Sequence, residues 1–86
     1  MNSKPVPSPY SPSGTDVPLD LRGLPPPEPM ERIMEALDAL KAGDTLRVQM
    51  DREPHPLFGM LERGGYRHHG DWGSDAYVLR IWQRAD

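Results

Sequence analysis

Residues 16–30 have the sequence DVPLDLRGLPPPEPM, which combines an alternating apolar segment with a run of prolines. Val17, Leu19 and Leu21 alternate with polar residues, which predicts a half-buried strand over Asp16–Arg22. The prolines that follow suit the first turn of a helix, because the first N–H groups of a helix have no partner inside it. The stretch therefore predicts a strand that turns directly into a helix.

The predicted helix continues to about Lys41 and has an apolar stripe along one side. Its apolar residues follow the i, i+3, i+4, i+7 spacing and are Met30, Ile33, Met34, Leu37 and Leu40. Gly43 is expected to end the helix as a C-terminal cap. Thr45–Met50 alternates again and predicts a second strand. A strand, a helix and a strand in this order predict a right-handed parallel crossover.

The remaining chain predicts one more helix and a hairpin. Pro54 and Pro56 precede a short apolar patch that ends before Gly64-Gly65, and we expect a helix there. Two further strands, Tyr66–His69 and Ala76–Gln83, are expected to be antiparallel neighbours joined by a loop over residues 70–75. The predicted fold class is an α+β two-layer sandwich of order β-α-β-α-β-β, with two helices on one face of a mixed four-stranded sheet.

Length and composition limit the possible functions. A chain of 86 residues and 9.7 kDa holds one compact unit, which we place at residues 16–86. Residues 1–15 contain four prolines and four serines, and they predict a disordered tail. The chain has no cysteine, which excludes disulfides and thiolate chemistry. A net charge of −3 argues against a nucleic-acid binder. Without an apolar run or a secretory signal, we expect a cytoplasmic protein.

The predicted topology brings two polar loops to one edge of the sheet. The loops that leave two parallel strands open at the same end, where ligands of open α/β sheets bind. The residues expected to form a binding edge there are Arg22, Gly23, Pro26, Pro27, Glu28, Asp51, Arg52, Glu53 and His55. The two helix N-termini and the arginines could hold an anion or a carboxylate of a partner. Ion pairs within the edge are the simpler interpretation.

Two other groups of residues are candidates for binding. The sheet face that the helices leave open is expected to present Arg47, Gln49, Arg80 and Trp82 as a second docking surface. Three histidines, His55, His68 and His69, raise the alternative of a metal site completed by Asp71 or a glutamate. Neighbouring residues of a strand point to opposite faces, however, so His68 and His69 cannot both bind one ion from a regular strand.

Residues 19–30, LDLRGLPPPEPM, and the later AGDTL at residues 42–46 resemble the TusA/SirA-like sulfur-carrier family, whose signature is L-D-x-x-G-L-x-C-P-x-P followed by P-G-[DE]-x-L. The run DREPHPL at residues 51–57 is similar to an uncharacterised branch of that superfamily. The resemblance implies the same two-layer fold, which is also similar to the C-terminal domain of translation initiation factor three. Pro26 stands where the sulfur carriers have their persulfide cysteine, so the resemblance does not imply sulfur transfer here.

The sequence predicts a non-catalytic module that binds a partner protein or a small anion, without a cofactor, as a monomer or weak dimer. Relatives in the resembling branch imply a link to redox or nitrogen-oxide metabolism in bacteria. The alternative is a metal-binding accessory protein or enzyme that uses His55 and the His68/His69 hairpin. RNA binding is a third possibility, although the net charge of −4 over residues 16–86 disfavours it.

Overall fold

The structure is a computed structural model that describes residues 14–84. The elements are β1 (Asp16–Asp20), α1 (Glu28–Ala39), β2 (Thr45–Met50), α2 (His55–Arg63), β3 (Tyr66–Trp72) and β4 (Tyr77–Gln83). They form one sheet of order β1-β2-β4-β3, in which β1 and β2 are parallel and β4 is antiparallel to both of its neighbours. The predicted fold class is confirmed. The predicted tail lies outside the described residues except for Gly14 and Thr15.

One hydrophobic core joins both helices to a single face of the sheet. On α1 and α2, the residues that pack into it are Ile33, Leu37, Leu57 and Leu61. On the sheet, the central strands contribute Leu46, Val48, Leu79 and Ile81, all fully buried. These residues alternate along β2 and β4 as the sequence predicted, because successive side chains of a strand point to opposite faces. The other face of the sheet carries no helix among residues 14–84.

Pro18 lies in the middle of the edge strand β1 without weakening the ladder. The N–H of Thr45 donates to the carbonyl of Thr15 at 2.9 Å, and the N–H of Leu21 donates to the carbonyl of Gln49 at 2.8 Å. These bonds show that the odd-numbered residues of β1 bond to β2. The nitrogen of Pro18 therefore faces away from β2, where its missing hydrogen costs no hydrogen bond.

Helix α1 ends earlier than predicted, and Gly43 is not its cap. Leu40 already has an extended backbone, and its N–H donates to the carbonyl of Leu37. Gly43, with φ of 91°, instead forms the turn into β2, in which the N–H of Asp44 donates to the carbonyl of Lys41 at 3.0 Å. A glycine with positive φ at the third position is typical of a type II turn.

The β3–β4 hairpin is longer than predicted, because β3 continues to Trp72 in register with Tyr77. The N–H of Gly73 donates to the carbonyl of Ala76 at 2.7 Å, which closes a tight turn. Gly70 and Asp71, predicted as loop, pair with Leu79 and Val78. A glycine at position 70 suits the strand because the phenol ring of Tyr77 occupies the space that a Cβ would need.

Candidate functional site

The loops that follow β1 and β2 meet, as the predicted crossover requires. The N–H of Gly23 donates to Oδ2 of Asp51 at 2.7 Å, and this bond connects two loops that are 28 residues apart in sequence. Gly23 has a φ of 84°, a left-handed conformation that a residue with a side chain rarely adopts. The bond therefore holds the beginning of α1 close to the beginning of α2.

Between these two helix N-termini lies a cleft of about 470 Å³, which we call the proline-lined cleft. Its apolar lining consists of Leu21, Leu24, Pro26, Pro27, Pro29, Met30, Ile33, Met50, Pro54, Pro56 and Leu57. Its charged lining consists of Asp51, Arg52 and Glu53. The peptide bond between Pro26 and Pro27, in the wall formed by the β1–α1 loop, is cis. The cleft is thus an apolar groove with charges along one side.

The backbone N–H groups in the first turns of both helices already have hydrogen-bond partners and are not available to an anion. In α1, the N–H groups of Glu28 and Met30 donate to the carbonyls of Pro25 and Pro27, both at 3.1 Å. In α2, the N–H groups of His55 and Leu57 donate to the carbonyls of Glu53 and Pro54, at 3.1 and 3.0 Å. The residue between each pair is a proline, which has no N–H. The expectation that these helix ends assist anion binding is therefore not supported by the hydrogen-bond geometry.

Arg22 is directed to carboxylates outside the proline-lined cleft. Its Nε and Nη2 donate to the two carboxylate oxygens of Asp20 at 2.9 and 2.8 Å, and its Nη1 lies 3.3 Å from Oδ2 of Asp75. The hydrogen bonds from the side chain of Arg22, followed by the one from its backbone N–H, lower the pKa of Asp20 to about 2. Hydrogen bonding to Asp20 also raises the pKa of Arg22. Arg22 thus forms ion pairs, but its partners are Asp20 and Asp75 and not the acidic residues of the predicted edge.

The other charged residues of the predicted edge divide into two groups. Glu28 accepts a hydrogen bond from Nη2 of Arg32 at 3.1 Å, one turn along α1, and does not line the cleft. Arg52 lines the cleft, is exposed, and has no salt bridge to any residue in the range 14–84. Glu53 also lines it, with Oε1 located 3.6 Å from Nε2 of His55. Arg52 is consequently the cation at this edge that is available to a ligand.

The three histidines pair with different carboxylates, although His55 and His68 both contact Phe58. The His68 ring stacks on Phe58 with ring centroids 4.7 Å apart, and its Nε2 lies 3.5 Å from Oε2 of Glu62. The ring of His55 also contacts Phe58, in an edge-to-face arrangement with ring centroids 5.9 Å apart. His69 points to the other face and shares a hydrogen bond of 2.9 Å with Asp71. Within the described residues, no three histidine or carboxylate side chains are placed to hold a metal ion.

Comparison with known proteins places the chain in a family. Residues 18–83 match the sequence pattern of a family described as an uncharacterized conserved protein, DUF2249. The chain belongs to the DUF2249 family. No curated protein and no solved structure matches it. None of the matches connects this DUF2249 chain with the TusA/SirA-like sulfur carriers, so that resemblance stays a prediction.

The residues predicted to form a second surface lie on the open sheet face of the DUF2249 chain, and one of them, Trp82, is less exposed than expected. Arg47 and Arg80 are neighbours in register, and Nε of Arg47 donates to Oδ2 of Asp16 at 2.8 Å. Trp82 lies on the same face but is only 8% exposed, so the expectation of an exposed indole is wrong. An aromatic ring that lies flat on a sheet can be covered by the backbone beneath it and by long side chains beside it. The position of Trp82 on the open face therefore does not determine how exposed its side chain is.

Of the apolar residues that line the proline-lined cleft in this DUF2249 chain, the sequence pointed to Pro26 and Pro27 and missed the others. Met30 and Ile33 belong to the apolar stripe predicted for the first helix and Leu57 to the apolar patch predicted for the second, and helix periodicity does not separate a core residue from a residue at the bottom of a cleft. The signal available was their position in or next to the first turn of each helix. Asp75 was also missed, because its contact with Arg22 joins residues 53 positions apart. None of the helices in the described range is long and apolar enough to cross a membrane.

Proposed function

We propose that this DUF2249 chain is a non-catalytic interaction module that binds an apolar segment of a partner protein in the proline-lined cleft. The observation that carries the proposal is the lining of the cleft, in which apolar residues from the β1–α1 loop, α1, β2 and the beginning of α2 surround about 470 Å³. A concave apolar site with a few charges along one side is the usual form of a binding site for an organic group or a side chain.

The prolines support binding by a preformed surface. Five of them line the cleft, and the φ angle of each is restricted by its ring. Walls built from such residues lose little conformational freedom when a ligand binds, which reduces the entropic cost of association. The bond between Gly23 and Asp51 adds to this effect because it holds the two walls together.

The chemistry of the edge supports binding rather than catalysis. Pro26 offers no nucleophile, and the sequence has no cysteine to replace one. The carboxylate of Asp51 accepts a backbone hydrogen bond, and that of Glu28 pairs with Arg32. Both side chains therefore have structural roles already. The apolar lining and the occupied helix N-termini favour a protein segment over a small anion as the ligand. Arg52 can add a contact with a carboxylate of that segment.

The test is selection of binding peptides with a matched pair of variants. Random peptides displayed on phage are selected on the full chain and then measured against Met30→Lys and Met34→Lys. Both changes put a lysine on α1, but Met30 lines the cleft, whereas Met34 is 38% exposed and outside it. We expect peptides rich in apolar residues, with affinity reduced about tenfold or more by Met30→Lys and unchanged by Met34→Lys. Thermal unfolding of each variant checks that the fold is intact.

Chemical-shift mapping provides the second readout of the same proposal. Selected peptides are expected to shift the methyl signals of Ile33, Met50 and Leu57, which line the cleft. Peptides that bind both lysine variants equally well, or that shift only signals remote from these methyl groups, refute the cleft as the binding site. The link to redox or nitrogen-oxide metabolism rests on the sequence resemblance alone and would be judged from the partners found.

A further inference from the structure

The sheet has two edges, and they differ in their capacity to pair with another strand. The edge strand β1 has five residues, and the nitrogen of Pro18 faces outward at its centre, so this edge lacks a donor. The other edge strand, β3, has seven residues, Tyr66–Trp72, and contains no proline. A long edge strand with unpaired backbone groups is a template for the addition of a strand.

The hydrogen-bond pattern shows which residues of β3 face outward. The N–H of Arg84 donates to the carbonyl of Gly65, and the N–H of Gly73 donates to the carbonyl of Ala76. Both pairs belong to the β3–β4 register, and they set its alternation: odd-numbered residues bond to β4. The residues whose N–H and C=O groups point away from the sheet are therefore Tyr66, His68, Gly70 and Trp72.

The sequence of β3 is complementary to itself when two copies of the strand pair antiparallel with His69 of one copy opposite His69 of the other. Arg67 then lies opposite Asp71 of the second copy, and the same pair is repeated by symmetry. On the helix-covered face, Tyr66 lies opposite Trp72 of the second copy. The outward-facing residues pair with one another in this register, as an antiparallel ladder requires. A shift of the register by two residues pairs fewer residues and separates Arg67 from Asp71.

Three side chains of β3 that would take part in this pairing are exposed: Arg67, Asp71 and Trp72. Arg67 is exposed and has no salt bridge within the described part of the chain. Asp71 is exposed and uses Oδ2 for the hydrogen bond with His69, which leaves Oδ1 to accept from an arginine. Trp72 is 59% exposed, although its ring packs against Tyr77 at a centroid distance of 5.3 Å. Opposite charges and aromatic rings placed across an antiparallel pair stabilise it.

We infer that the free edge of β3 is an interaction surface for a second copy of this chain. Two copies join through β3 about a two-fold axis at His69, and their sheets become one continuous antiparallel arrangement across the interface. Charged residues usually protect an edge strand from association. In this pairing, Arg67 and Asp71 have opposite charges and lie opposite each other across the two-fold axis. A second copy of the chain is favoured as the partner of this edge, because its own β3 places Asp71 opposite Arg67 and Arg67 opposite Asp71.

Charge reversal tests the inference, with sedimentation equilibrium of the full chain from micromolar to millimolar concentration. We expect a wild-type species of twice 9.7 kDa. Arg67→Asp and Asp71→Arg each create two repulsive pairs across the axis and are expected to raise the dimer dissociation constant about tenfold or more. The double variant Arg67→Asp/Asp71→Arg restores the pairs and the dimer. Arg32→Asp and Glu35→Arg, equivalent changes on the exposed side of α1, are the matched controls and leave dimerisation unchanged.

Amide hydrogen exchange provides a readout of the strand pairing itself. The amides of Tyr66, His68, Gly70 and Trp72 are expected to exchange more slowly at high concentration than at low concentration, whereas those bonded to β4 are protected at both. A chain that stays monomeric at millimolar concentration overturns the inference. So does a dimer that both single reversals leave intact, or one that the double reversal does not restore. These outcomes are independent of peptide binding in the proline-lined cleft.

Discussion

Replacement of Gly70 by alanine tests the packing of the β3–β4 hairpin. An ideal Cβ at this position would lie 2.9 Å from Cε2 of Tyr77 and still closer to its Cζ and Oη. Tyr77 is only 5% exposed and its ring also contacts Trp72, so it has little room to move. Overpacking of this kind costs about 1–3 kcal/mol, reduced by roughly 0.5–1 kcal/mol because alanine restricts the unfolded chain.

The net loss expected for Gly70→Ala is therefore centred on about 1 kcal/mol of unfolding free energy, which corresponds to a melting temperature roughly 4–8 °C lower in a domain of this size. Thermal and urea unfolding followed by circular dichroism measure it. In a Tyr77→Phe background the same substitution should cost less, because the overlap with Oη is removed. The difference between the two backgrounds isolates the contact between residues 70 and 77.

Gly59→Ala is the matched control, and its expected effect has the opposite sign. Gly59 lies inside α2, and a Cβ there meets only Nη1 of Arg63 at 3.3 Å. The guanidinium is the end of a flexible, exposed side chain and can move. Alanine in a helix interior is favoured over glycine by about 1 kcal/mol. Unchanged stability for Gly70→Ala, or equal losses for both variants, would refute the placement of the Tyr77 ring over β3.

Three further predictions concern polar groups. The hydrogen bonds from Arg22 lower the pKa of Asp20 to about 2, so the contribution of the Asp20 carboxylate to stability is present above about pH 4 and is lost as the pH falls through 2. The difference in urea midpoint between wild type and Asp20→Asn should therefore shrink between about pH 4 and pH 2. A difference that stays constant over this interval contradicts the prediction. Oγ1 of Thr45 is buried and has no hydrogen-bond partner among the described residues, so Thr45→Val should raise the unfolding free energy by about 1 kcal/mol, and a lower melting temperature would count against this view. Asp51→Ala removes the acceptor for the N–H of Gly23 and should cost about 1 kcal/mol and accelerate exchange of that amide, whereas unchanged exchange would show that the bond is not formed in solution.

The sequence predicted the elements reliably where a local pattern carries the information. Alternation identified β2 with its bounds, Thr45–Met50, and the helical spacing identified the buried residues Ile33 and Leu37. The predictions for the end of α1 and for the length of β3 were wrong, and the second of these depends on a distant contact. The strand β3 continues to Trp72 because β4 supplies hydrogen-bond partners, and no property of residues 70–72 alone requires that.

Local sequence patterns were sufficient to give the order of strands and helices, the meeting of two loops at one end of the parallel strands, and the absence of any thiol. These follow from periodicity, from the handedness of crossovers and from residue type, which are local properties of the chain. The ion pairs of Arg22 with Asp20 and Asp75, the hydrogen-bonded helix N-termini and the apolar cleft at the predicted edge became evident only in the folded chain. Each of these depends on distances between groups far apart in sequence, and such distances arise only when the chain packs.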